Sequence, residues 1–88
     1  MIRAVERQVI CFDKQTEELV QELPLRGITL RQLQELFNVS SDDPLYDGFR
    51  IEPWHAEQLQ AFLSEKLDLE HHDCFLDCYT IKIEGVEK

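Results

Sequence analysis

The feature that most constrains this chain is the tract CFLDCYTIKI, residues 74–83. Cys74, Leu76, Cys78 and Thr80 alternate with Phe75, Asp77, Tyr79, Ile81 and Ile83. A period of two sends successive side chains to opposite faces, so this tract is a strand. The opening segment supplies its partners. VICF is β-branched and aromatic, as strands prefer. DKQT supplies the turn through Asp and Thr, whose side chains bond local backbone. EELVQELPL alternates again, with Leu19, Gln21 and Leu23 on one face; an i, i+3, i+4 helical reading is also possible, and Pro24 and Gly27 end the segment either way. The first third of the chain therefore reads as a β-hairpin.

Two helices follow. Thr29 suits an N-cap, and Leu30, Leu33, Leu36 and Phe37 share one helical face over about residues 30–37. Asn38 stands where a C-cap belongs. Residues 39–51 are irregular, punctuated by Pro44 and Gly48. In EPWHAEQLQAFLSEKL, Pro53 fits the first helical position. Trp54, Leu59, Phe62 and Leu63, with Ala56 and Leu67, mark its expected buried stripe. The order is β-β-α-α-β over a single domain, residues 1–88. The economical arrangement is α+β, a two-layer sandwich: a small antiparallel sheet with two helices on one face.

Charge sets the function classes. The chain has 18 acidic and 9 basic residues, for a net charge of −9. Residues 42–77 alone carry ten acids against two bases. Such a field repels nucleic acid and anionic membrane and favours basic protein surfaces. No apolar run approaches the ~20 residues that span a bilayer. The N-terminus MIRAVERQV has no apolar core of a signal peptide, which predicts a cytoplasmic protein. Three cysteines, Cys11, Cys74 and Cys78, cannot all pair within one chain, and the expectation is reduced thiols.

The tract LEHHDCFLDC, residues 69–78, invites a metal reading. Zinc needs four ligands within ~2.0–2.3 Å of one point. On a strand, Cys74 and Cys78 share a face but stand about 13 Å apart, at roughly 3.3 Å per residue. They cannot share a zinc or a disulfide, whose Cα atoms lie within about 7 Å. Cys11 could neighbour either of them across strands. No serine lies in a nucleophile elbow, and His71, His72 and Asp73 read as a solvated loop before a strand. No phosphate-cradling loop and no basic aromatic patch is present. The expectation is a protein without enzymatic activity, metal or cofactor.

Four tracts, FDKQTEELVQEL, DDPLYDGF, EPWHAEQLQAFL and LDLEHHDCFLDCY, together resemble small acidic bacterial toxin-immunity proteins. The hairpin motif FDK-x-T also looks like the cloacin-type colicin immunity proteins. The broader class includes the pyocin and contact-dependent growth inhibition immunity proteins. The resemblance covers about residues 7–80. It implies a cytoplasmic inhibitor that binds the C-terminal domain of a cognate toxin, a basic nuclease, without catalysis. This chain departs from cloacin-type members in its two helices. The candidate toxin-binding residues are Asp42, Asp43, Tyr46 and Asp47 in the irregular loop, and Glu70, Asp73 and Asp77 at the last strand. The acids would meet toxin Lys and Arg, and Tyr46 would be a packing anchor. The alternatives are an adaptor or regulatory module for a non-toxin partner and, less favoured, a small metal-binding protein or enzyme built on His71, His72 and the cysteines.

Overall fold

A computed structural model describes the backbone of residues 2–45 and 48–83, and side chains over 6–45 and 48–79. It is an α+β fold with a four-stranded antiparallel sheet. In chain order the elements are β1 (Ile2–Asp13), β2 (Leu19–Pro24), α1 (Leu30–Leu36), β3 (Phe49–Arg50), α2 (Pro53–Leu59), a 3-10 turn (Gln60–Phe62) and β4 (His72–Ile83). The strand order is β2-β1-β4-β3, so the first and last strands lie together at the centre. No helix among the described residues is long and apolar enough to cross a membrane.

The β1–β2 turn forms as the residue types require. Asp13 Oδ1 accepts from the N–H groups of Gln15 and Thr16 at 2.8 and 2.9 Å. These bonds hold the Asp13 carboxyl below its usual range. The alternation expected of β2 is broken. Cys11 pairs with Gln21 and Phe12 with Leu19, so Val20 is an extra, bulged residue. Leu23 stays buried opposite Val9, and Gln21 reaches Glu65 at 3.3 Å. Leu19 does not join them: the bulge aligns it with Phe12 and leaves it 48% exposed.

The core is one-sided. Val9 and Cys11 of β1, Leu23 of β2 and Cys74 and Leu76 of β4 point to the same face. They pack with Leu33 of α1, Leu59 of α2, and Leu45, Ile51 and Leu67 from the connections. Seven-residue helices are marginal alone, so their ends matter. Thr29 and Gln32 form a reciprocal capping box, at 3.1 Å from Gln32 N–H to Thr29 Oγ1 and 2.8 Å from Thr29 N–H to Gln32 Oε1. After α1, Asn38 turns to φ +55° and donates its N–H to the Glu35 carbonyl. The amide of Gln34, the one buried polar side chain among the described residues, donates to the carbonyls of Ser41 and Asp43. It clamps the loop that carries Leu45 into the core.

Two sequence expectations need correction. The second helix is shorter than its tract suggested: Leu63 is already extended, and the Gln60 side chain bridges the Glu65 carbonyl and the Leu67 N–H instead. Trp54 is no core residue but is 62% exposed. At about 100° per residue it sits roughly 140° around the helix from Leu59, which faces the sheet. The structure also adds a strand where the chain looked irregular. β3 pairs Phe49 with Leu76 and Arg50 with Phe75, and the Ile51 N–H donates to the Cys74 carbonyl at 2.8 Å.

Candidate protein-binding face

Helices cover one face of β1 and β4 and no described element covers the other. Yet where residues 9–12 meet 74–76, the two strands are apolar on both faces. An antiparallel strand with one solvated face normally alternates apolar with polar residues. Here VICF and CFL are continuously apolar. The open face holds Ile10 and Phe12 from β1 and Phe75 from β4, all half-buried. Ile10 lies directly opposite Phe75, and the Phe12 and Phe75 rings meet edge to face with centroids 6.1 Å apart. Leu19, aligned with Phe12, extends this apolar strip toward the β2 edge.

Charged groups border the strip. Glu22 on β2 pairs with Ile10 and is exposed. Asp77 accepts a hydrogen bond from the Gln8 amide at 2.8 Å. On β3, Arg50 places its guanidinium 5.8 Å from the Phe75 ring centroid and donates to Asp73 at 2.6 Å. Glu52 lies 3.8 Å from the same guanidinium. Farther along, Glu6 pairs with Tyr79. The surface is an aromatic centre with acids at its borders and one ion-paired arginine.

The residues expected to bind a partner fall in two places. Asp73 and Asp77 lie on the open face, both half-buried and both already hydrogen-bonded. Glu70 is exposed on the turn that enters β4, at the end of the sheet where Asp13 pairs with His72. Asp42 and Asp43 belong to another region. The neighbouring Pro44 carbonyl accepts from the Arg7 guanidinium at 2.7 Å, whereas the Lys14 N–H donates to the His71 carbonyl near Glu70. Seven residues of extended β1 separate those anchors, about 23 Å. Asp42 is exposed; Asp43 spends Oδ1 on the Leu45 N–H, holding Leu45 at φ +58°. Tyr46 and Asp47 lie outside the described residues.

The tract LEHHDC makes an acidic turn. Asp68, Glu70 and His71 bring one ligand-type atom each within 4.8 Å of the others, all exposed. The turn is explained by its own bonds: Asp68 accepts from the Glu70 and His71 N–H groups, and His71 Nδ1 lies 2.8 Å from Asp68 Oδ2. That contact raises the His71 imidazole and lowers the Asp68 carboxyl from their ordinary values. Cys74 is buried, while Cys78 is half-buried opposite Arg7. Sequence reasoning missed Ile10, Phe12, Leu19, Arg50 and Phe75 as surface candidates. For Ile10, Phe12 and Phe75 the signal was present in VICF and CFL, where neither face of the strand is polar; Leu19 and Arg50 join them only through the bulge and the β3–β4 pairing.

Comparison with known protein families adds one match, to the Domain of unknown function (DUF7683), over residues 6–87. The chain belongs to the DUF7683 family. The match spans all four strands and both helices from Glu6 onward, so this DUF7683 domain and the sheet just described are one unit. No curated protein matches the chain.

Proposed function

We propose that this DUF7683 protein is an immunity protein: a non-catalytic, cytoplasmic inhibitor that captures the nuclease domain of a cognate bacterial toxin. The open face of the sheet is its docking surface. The observation that carries this reading is the uncovered strip Ile10, Phe12 and Phe75 on the two central strands, bordered by Glu22, Asp73 and Asp77. Interfaces of measurable affinity centre on buried aromatic anchors within a polar rim. A nuclease is basic where it grips phosphates. The net charge of −9 complements such a surface and speeds its capture. Close charge pairs across an interface couple by about 1.5–7 kcal/mol, so a few well-placed carboxylates suffice for tight binding. Glu70 extends the acidic border at one end, and Asp42 and Asp43, about 23 Å away along β1, offer a separate set of acids to a partner that reaches that far.

The test is co-expression with the product of the gene immediately upstream. The expected result is a stable complex and protection of cells from that product. Phe75→Ala should weaken both while leaving the chain folded. A complex with a non-toxic partner would replace the immunity reading with an adaptor. A tight complex unaffected by substitutions on the open face would reject that face as the contact.

A further inference from the structure

Cys11 and Cys74 are Cα partners in the register of the two central strands. Directly opposed residues on antiparallel strands have Cα atoms about 4.5–5.5 Å apart, inside the range that a disulfide requires. Both side chains point into the helix-covered core, 0% and 1% exposed, with their sulfurs 2.6 Å apart. Cys78 cannot compete: it lies four residues along β4, about 13 Å away, opposite Arg7. Both side chains are closed to solvent in the resting fold, so a reagent meets them through local opening beside the crevice that Cys74 borders. Cys74 forms part of the wall of a crevice of about 200 Å³, shared with Lys14, Arg50, Leu69 and His72. No crevice wall among the described residues includes Cys11.

We propose that Cys11 and Cys74 are a reversible dithiol site, oxidised to a cross-strand disulfide by a small-molecule disulfide that enters the crevice. The Cys74 thiolate attacks one sulfur of the small disulfide, RSSR. A mixed disulfide, Cys74–S–S–R, forms and RS⁻ leaves, taking up the proton that Cys74 released. The Cys11 sulfur then attacks the Cys74 sulfur, expelling the second RS⁻, which receives the Cys11 proton. The protein dithiol loses two electrons and RSSR gains them, yielding two RSH. The roles follow from access, since only Cys74 borders the crevice. The contact between the sulfurs agrees: it holds Cys74 below and Cys11 above the ordinary thiol range, while burial pushes both thiols up. Arg50 favours the Cys74 thiolate, while Asp73 and Asp68 oppose it. The bond would join residues 63 apart in sequence and fasten the first strand to the last. The proposal does not rest on the partner proposed for the open face, although Arg50 and Asp73 border both that face and the crevice.

The experiment treats the full folded chain carrying Cys78→Ser with 2-hydroxyethyl disulfide, quenches with acid, unfolds and alkylates the remaining thiols, and weighs the products. The substitution leaves both core cysteines in place, and a cooperative unfolding curve confirms the fold. The expected product is a monomer with neither thiol alkylated, a cross-linked peptide joining positions 11 and 74, and full recovery of both thiols with dithiothreitol. Adding Cys11→Ser should stop the reaction at a mercaptoethanol adduct on Cys74. Two thiols that remain alkylatable, or stable adducts without a cross-link in the Cys78→Ser protein, would overturn the proposal.

Discussion

The two faces of strands β1 and β4 are made of similar residues and meet different fates. On one, Val9, Cys11, Cys74 and Leu76 are at most 1% exposed beneath the helix layer. On the other, Ile10, Phe12 and Phe75 shade one another but stay half-open. Apolar content alone therefore does not decide what is core. What decides is whether the same chain supplies a cover. The helices cap and tie down their own ends, through the Thr29–Gln32 box and the Gln34 clamp, and so settle on one side. The difference assigns separate work to each face. Substitutions on the covered face should cost folding, and substitutions on the open face should cost association.

The largest effect belongs to the covered face. Leu76→Ala removes a fully buried side chain at the centre of the sheet. Its cost should be about 2–5 kcal/mol in chemical denaturation, with the cavity term included. Phe75→Ala, its neighbour on the same strand, should cost only about 1 kcal/mol of folding, because the ring is half-solvated already and leaves no enclosed cavity. If the open face docks the proposed partner, the same change should weaken that complex by about 2 kcal/mol or more, roughly 30-fold in Kd by titration. Equal folding penalties at positions 75 and 76 would abolish the distinction between the faces.

Charge sharpens the contrast further. Asp77→Lys lies on the open face and Asp42→Lys on the distant loop. If the open face docks the partner, Asp77→Lys should slow association about tenfold at low salt, with the effect shrinking as salt rises, and Asp42→Lys should change it less than twofold. Equal slowing in both variants, measured by stopped flow, would mean that the partner reaches past the open face to Asp42 and Asp43. Reversing Asp42 should leave the denaturation midpoint nearly unchanged, since its exposed carboxylate takes no part in the hydrogen bonds that clamp the loop.

Much of this fold was legible because its signals are local. The alternation of residues 74–83, the Asp13 turn, the Thr29 cap and Pro53 at a helix start are each set within a few residues. What was not legible depends on contacts between distant segments. β3 is two residues long and exists because Phe49 and Arg50 find β4, a pairing that no period announces. The bulge at Val20 shifts register without altering the alternation of the written sequence. Trp54 resembled part of a buried stripe because it is a large aromatic, but about 140° around the helix separates it from Leu59, which faces the sheet. The opposition of Cys11 to Cys74 depends on the β1–β4 register, which neither strand encodes alone. The acids of the candidate site were visible as a charge run. Their separation into two regions was not, because it depends on Arg7 holding the loop carbonyl at Pro44.

The smallest effect concerns the cover itself. His55 stacks on Phe37 with centroids 4.4 Å apart, and its Nδ1 accepts the Glu52 N–H at 2.9 Å, completing the start of α2. That bond requires a neutral nitrogen. Partial burial lowers the His55 imidazole below its ordinary 6.5, against a weaker opposing pull from Glu52. A histidine lowered on folding binds more protons unfolded than folded, so its contribution to stability is complete above the unfolded value and is lost as pH falls through 6.5 toward the folded value. The group is only half-buried, so the loss should be small. It should nevertheless be local: protection factors at the start of α2, corrected for the intrinsic exchange rate, should fall as pH drops below 6.5 while the centre of β4 stays protected. His55→Gln should flatten that dependence. Loss of protection on β4 and α2 together would show that the helix layer and the sheet open as one unit, and that the covered face has no separate lid.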